Sequence, residues 1–141
     1  MRRPPASLLS VLVLLVGCAS ASADGVDHEV VLTEKAVGTA TPWQSGEQIL
    51  EVVNDGQAHH NLIICPGGED GCTDGGVRME LLEKPDVRDP SLVPDETSSL
   101  VLGAGASAVV RTDELEPGPH RLWCAIPNHA ARGMELIVEV E

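Results

Sequence analysis

From residue 29 onward the apolar residues fall in short, β-branched runs separated by turn formers. Residues 29–33 (EVVLT) and 48–53 (QILEVV) are bounded by Gly, Pro, Asn and Asp, and 60–65 (HNLIIC) has the same make-up. Val and Ile suit a pleated, half-buried surface, so each run reads as a strand. Residues 108–112, 119–124 and 135–141 complete the set. The last alternates, with Leu136, Val138 and Val140 facing one way and Glu139 and Glu141 the other, as a half-buried strand does. Pro117-Gly118 is a turn feeding the strand that reaches Cys124. Short strands at this spacing predict an all-β chain folded as an antiparallel sandwich. Between Pro66 and Ser99 the pattern breaks and Gly, Asp, Glu and Pro dominate. That stretch reads as a solvated acidic insertion, with a helical turn or two at 77–84. Glu69–Asp74 does not follow the ligand order of an EF-hand calcium loop.

The first 28 residues follow different rules. Arg2 and Arg3 precede an apolar run from Ala6 to Val16. As a helix that run rises only about 16 Å, half of the roughly 30 Å hydrocarbon core, which suits an export signal better than a membrane span. The run ends in Leu15-Val16-Gly17-Cys18, which resembles a bacterial lipobox. The expected organisation is a signal peptide at 1–17, a flexible small-residue tether at 18–28 starting from lipidated Cys18, and one domain at 29–141. Exported and lipid-anchored, the domain would face the extracytoplasmic side of a membrane.

The 141 residues allow one domain, and the absence of Tyr and Phe leaves Val, Leu and Ile to build its core. The formal net charge is −13, and −15 without the two leader arginines. So acidic a surface repels phosphate backbones, which excludes nucleic acid as a partner. The same charge would steer a basic protein face, more weakly as salt rises.

Four cysteines are present, at 18, 65, 72 and 124. Cys65 and Cys72 bracket a turn-rich Pro-Gly-Gly-Glu-Asp-Gly segment that can bring them within bonding distance. With Cys18 lipidated, Cys124 is left as a thiol in an oxidising compartment, where it requires a metal or deep burial. The segment around it is Cys124-Ala125-Ile126-Pro127-Asn128-His129-Ala130-Ala131-Arg132-Gly133-Met134, so one loop offers thiolate, imidazole and thioether at Cys-x4-His-x4-Met spacing. His60 supplies a second imidazole from a distant part of the chain. Two His, one Cys and a weak axial Met are the donor set of a blue-copper electron-transfer site.

With these residues in view the chain resembles the cupredoxins, in particular the plastocyanin-, halocyanin- and sulfocyanin-like small domains. The resemblance spans about 29–141 and is strongest at His60-Asn61 and Trp123–Met134. It implies a Greek-key β-sandwich binding one type 1 copper through His60, Cys124 and His129, with Met134 as axial ligand. It also implies that Asn61 ties the two ligand loops together by hydrogen bonding, and that Trp123 faces outward as an electron route. The chain departs from the family pattern at Asn128, where Gly usually precedes the second His, and in the 65–99 insertion.

The function implied is electron transfer by a monomer cycling between Cu(I) and Cu(II) and docking redox partner proteins. Ile126, Pro127, Ala130 and Ala131 are the expected cover of the His129 edge. A copper storage or delivery module could use the same ligands, and a metal-free sandwich would leave the spacing to chance. A zinc site of His120, Cys124 and His129 is also chemically sound, though it leaves Met134 and Asn61 without a role. His59 rivals His60, but neighbouring strand residues point to opposite faces. Enzyme activity is not expected. The Cys of copper oxidases in this superfamily is flanked by His, whereas Cys124 lies between Trp123 and Ala125.

Overall fold

A computed structural model describes residues 25–68, 72, 75–85 and 94–141. The expected leader, Cys18 and the tether up to residue 24 lie outside the described residues. Among the described residues, ten strands form two sheets. The first contains β1 (His28–Thr33), β2 (Ala36–Thr39), β3 (Ile49–Asn54), β5 (Met79–Glu83), β6 (Glu96–Thr97) and β8 (Ser107–Thr112), in the order β2-β1-β3-β8-β5-β6. The second contains β4 (His60–Pro66), β7 (Leu100–Leu102), β9 (Gly118–Trp123) and β10 (Glu135–Val140), in the order β10-β9-β4-β7. Pairing is antiparallel except between β1 and β3, which run parallel with Val30 opposite Val52.

The alternation that marks strands in the sequence also assigns their faces. In β3 it buries Leu50, Val52 and Asn54, and in β10 Val138 and Val140. Of these, Leu50, Val52, Val138 and Val140 join Val30, Leu32, Leu62 and Leu122 in one contiguous core between the sheets. Trp43 is fully buried in the same core, and its backbone extends the sheet edge, with its N–H donating to Glu139 and its carbonyl accepting from Glu141.

The helical turns expected at 77–84 are not formed. Met79–Glu83 is strand β5, paired with β8 through Met79 opposite Thr112 and Leu81 opposite Val110. Met, Leu and Glu favour helix intrinsically, but tertiary burial overrides so weak a preference. Met79 is fully buried and Leu81 nearly so. This part of the expected solvated insertion is therefore a core strand.

Candidate metal centre

Two strand ends and one loop meet at one end of the sandwich. β4 starts at His60, whose register opposite Leu102 on β7 turns its ring inward and leaves His59 exposed. β9 ends at Trp123, so that Cys124 follows directly, and β10 begins immediately after Met134. The intervening loop turns through a 3-10 segment, Ala130–Arg132. Backbone bonds inside the loop set its path: His129 N–H donates to the Ile126 carbonyl (3.0 Å) and Gly133 N–H to that of Ala130 (2.9 Å). Met134 then fastens both ends, its N–H donating to His129 and its carbonyl accepting from Cys124, each at 3.1 Å.

The unusual Asn128 fits this path. Its φ is +69°, a left-handed conformation that Asn tolerates better than most residues other than Gly. Gly133 has φ +111°, and a Cβ there would collide with the Lys35 carbonyl in the β1–β2 turn. Glycine is required at 133 on both counts.

The result is a group of His60, Cys124 and His129 whose donor atoms all lie within 4.8 Å of one another. The Nδ1 atoms of the two rings are 3.2 Å apart, and Cys124 Sγ is 3.5 Å from His129 Nδ1. His60 and Cys124 are fully buried and His129 is half-buried. Asn61 joins the segments that carry His60 and Cys124: its Oδ1 accepts from Ala125 N–H (2.7 Å), its amide donates to Ser99 Oγ (2.9 Å), and its backbone N–H points at Cys124 Sγ (3.4 Å). An N–H aimed at sulfur suits a thiolate. The donor set, one sulfur and two imidazoles with no carboxylate, fits a soft or borderline ion and not calcium or magnesium. Met134 is fully buried beside the group through its backbone ties.

His120 does not join the group. It is buried on β9 with Nδ1 3.2 Å from the Gly118 carbonyl, so the alternative zinc triad is not assembled among the described residues. Cys65 and Cys72 form a disulfide with Cα atoms 5.3 Å apart. Trp123 sits against it, Nε1–H donating to Cys65 Sγ (3.1 Å), with the Arg121 guanidinium 4.4 Å from the ring centroid. Ile126 and Ala130 are half-buried, while Pro127 and Ala131 are exposed beside His129.

Two residues at the site carry no motif in the sequence. Asn54, buried at the end of β3, holds the β3–β4 loop. Its amide donates toward the carbonyls of Ala58, Leu102 and Gly103, and its Oδ1 accepts from Gly56 N–H (2.9 Å). Glu34, in the β1–β2 turn, accepts from the backbone N–H groups of Gln57 and Ala58 and lies 3.4 Å from His60 Nε2. Its carboxyl is lowered to about 2, chiefly by the Gln57 N–H, with its own backbone N–H, Ala58 and then His60 contributing in the same direction. Neither has a spacing signature: Glu34 acts on a loop over twenty residues away, and Asn54 joins its own following loop to the distant Leu102 and Gly103 carbonyls.

No family model matches this sequence, and no curated protein matches it. Among solved structures it is similar to dithionite-reduced auracyanin from Roseiflexus castenholzii, with 22% identity and a TM-score of 0.51, covering 80% of this chain and 94% of that one. It is also similar to a multicopper oxidase from Campylobacter jejuni, at 13% identity and TM-score 0.59, and to the McoA multicopper oxidase of Aquifex aeolicus, at 13% and 0.61. The match covers 79% and 86% of this chain but only 29% and 30% of those oxidases. The chain therefore has the cupredoxin fold.

Proposed function

We propose that this protein is a type 1 copper electron carrier. The observation that carries the reading is the buried convergence of Cys124 with His60 and His129 at the loop end of a cupredoxin sandwich. His60, Cys124 and His129 would hold the copper, with Met134 as a weaker fourth donor, and the metal would supply a one-electron Cu(I)/Cu(II) couple. The chain's part is to hold the donors in one arrangement for both oxidation states. Asn61 and the Met134 backbone do so by cross-linking the ligand loops. Electrons would enter near His129, where Pro127 and Ala131 are exposed, and Trp123 offers a second route outward along β9. The membrane tether at Cys18 and a basic redox partner are part of the same proposal, supported by the lipobox-like run and the acidic charge.

A carrier role is favoured over oxidase chemistry. Cys124 lies between Trp123 and Ala125 and has no flanking His to connect to a second copper cluster. Cu(II) titration of the purified protein, followed by visible and EPR spectroscopy, tests the proposal. An intense thiolate-to-copper band with narrow hyperfine splitting, abolished in Cys124→Ser, is expected. A colourless copper complex would overturn it.

A further inference from the structure

The β1–β2 turn touches both ligand loops. Its Lys35 carbonyl lies where any side chain at 133 would have to go, and its Glu34 carboxylate reaches across to the β3–β4 loop. There the carboxylate caps the N–H groups of Gln57 and Ala58, which precede His60 in the chain. This leaves Oε1 3.4 Å from His60 Nε2, a contact slightly longer than a closed hydrogen bond. His60 Nε2 is fully buried and has no other partner among the described residues. Gly56 completes the clamp. A Cβ there would stand 2.5 Å from Glu34 Oε1 and 2.8 Å from His60 Nε2, so the turn closes over this contact only with glycine.

We propose that Glu34 is the positioning residue of the metal site, its carboxylate taking the Nε2–H of His60 so that Nδ1 faces Cys124 and His129 as the free donor, and its negative charge favouring the oxidised metal. The inference rests on the copper reading above. Imidazole carries one proton in its neutral form, and which nitrogen holds it is set by what the other meets. A buried Nε2 facing a carboxylate keeps its proton. Nδ1, the nitrogen that approaches the other two donors, is then left with its lone pair. An anionic acceptor on the far side makes a ligating imidazole more basic, which stabilises the higher charge on the metal. A backbone carbonyl at the same place would orient the ring without adding a charge.

Glu34→Gln separates the capping role from the electrostatic one, because the amide oxygen still accepts from Gln57 and Ala58. In that variant the preference for Cu(II) over Cu(I) falls about tenfold, read as a midpoint potential about 59 mV higher, while the visible band persists. Gly56→Ala keeps the charge but wedges the pair apart, and serves as the second variant should Glu34→Gln not fold. Nitrogen-15 NMR of the metal-free protein gives a readout independent of copper. His60 is expected as the Nε2–H tautomer in the wild type, with that preference lost in Gly56→Ala. A wild-type potential in copper-loaded Glu34→Gln overturns the proposal, as does a His60 carrying its proton on Nδ1 in the metal-free wild type. If the wild type takes up no blue copper, the electron-carrier reading fails instead, and the tautomer measurement alone decides the role of Glu34.

Discussion

Two long excursions leave the four-stranded sheet, and they are held by opposite means. Residues 124–134, between β9 and β10, are held by short-range backbone bonds: Ile126 to His129, Ala130 to Gly133, His129 to Met134, with Asn128 and Gly133 in left-handed conformations. Little of that loop reaches the core beyond the fully buried Cys124 and Met134. Residues 67–99, between β4 and β7, have a disulfide at their root and are anchored by burying Met79 and Leu81 against β8. Ion pairs dress the outside, Arg78 with Glu96 and Glu80 with Arg111. The 124–134 loop, built largely from local bonds, keeps Cys124 and His129 in place with few ties to the rest of the molecule, the Asn61 bond to Ala125 among them. The acidic excursion depends on the core for its place, and the core depends on it in turn.

Breaking the core anchor should have the largest effect. Met79→Ala removes a fully buried side chain from the start of β5, and such truncations cost about 2–5 kcal/mol. Urea denaturation should show the midpoint falling by that measure, with an unchanged copper band in the folded fraction. A loss below 1 kcal/mol would return the excursion to the solvated insertion that its composition suggested.

Asn61→Ala reverses the contrast. It removes the acceptor for Ala125 N–H and the donor to Ser99, and leaving such groups unpaired costs about 1–3 kcal/mol. The larger sign should be spectroscopic, a broadened or shifted thiolate-to-copper band, because this side chain joins His60's strand to Cys124's loop. An unaltered spectrum would mean that the backbone bonds of Met134 hold the loop alone.

These two regions also show what could be read before the structure. The grouping of Cys124 and His129 was legible because its information is local: Cys-x4-His-x4-Met sits on one stretch of chain, and Asn61 directly follows His60. Leu136, Val138 and Val140 announced β10 for the same reason, through period-two alternation. β5 was not legible. Met79-Glu80-Leu81-Leu82-Glu83 alternates only over its first three residues, and intrinsic preference favours helix. Its strand state comes from pairing with β8, nearly thirty residues further on. Glu34 and the long-range half of Asn54's role escaped for a related reason: Glu34 binds backbone N–H groups of another loop and Asn54 the distant carbonyls of Leu102 and Gly103, and no spacing rule describes that.

The smallest effect should come from the rim of the acidic excursion. Asp95 Oδ1 is 2.7 Å from Lys84 Nζ, and this hydrogen bond and charge lower the Asp95 carboxyl below its ordinary 3.8. A carboxyl that ionises more readily folded than unfolded adds stability at pH values above the unfolded pKa. That stability is lost as the pH falls through the lower, folded value. Asp95→Asn should therefore be slightly less stable than wild type at neutral pH, and the difference should close in strong acid. Because Asp95 is 85% exposed, solvent and salt screen the pair, and the neutral-pH difference should itself shrink in high salt. Thermal melts at pH 7 and pH 2, each with and without added salt, measure this. A gap that survives both acid and salt would show that the Asp95 side chain contributes through something other than its charge.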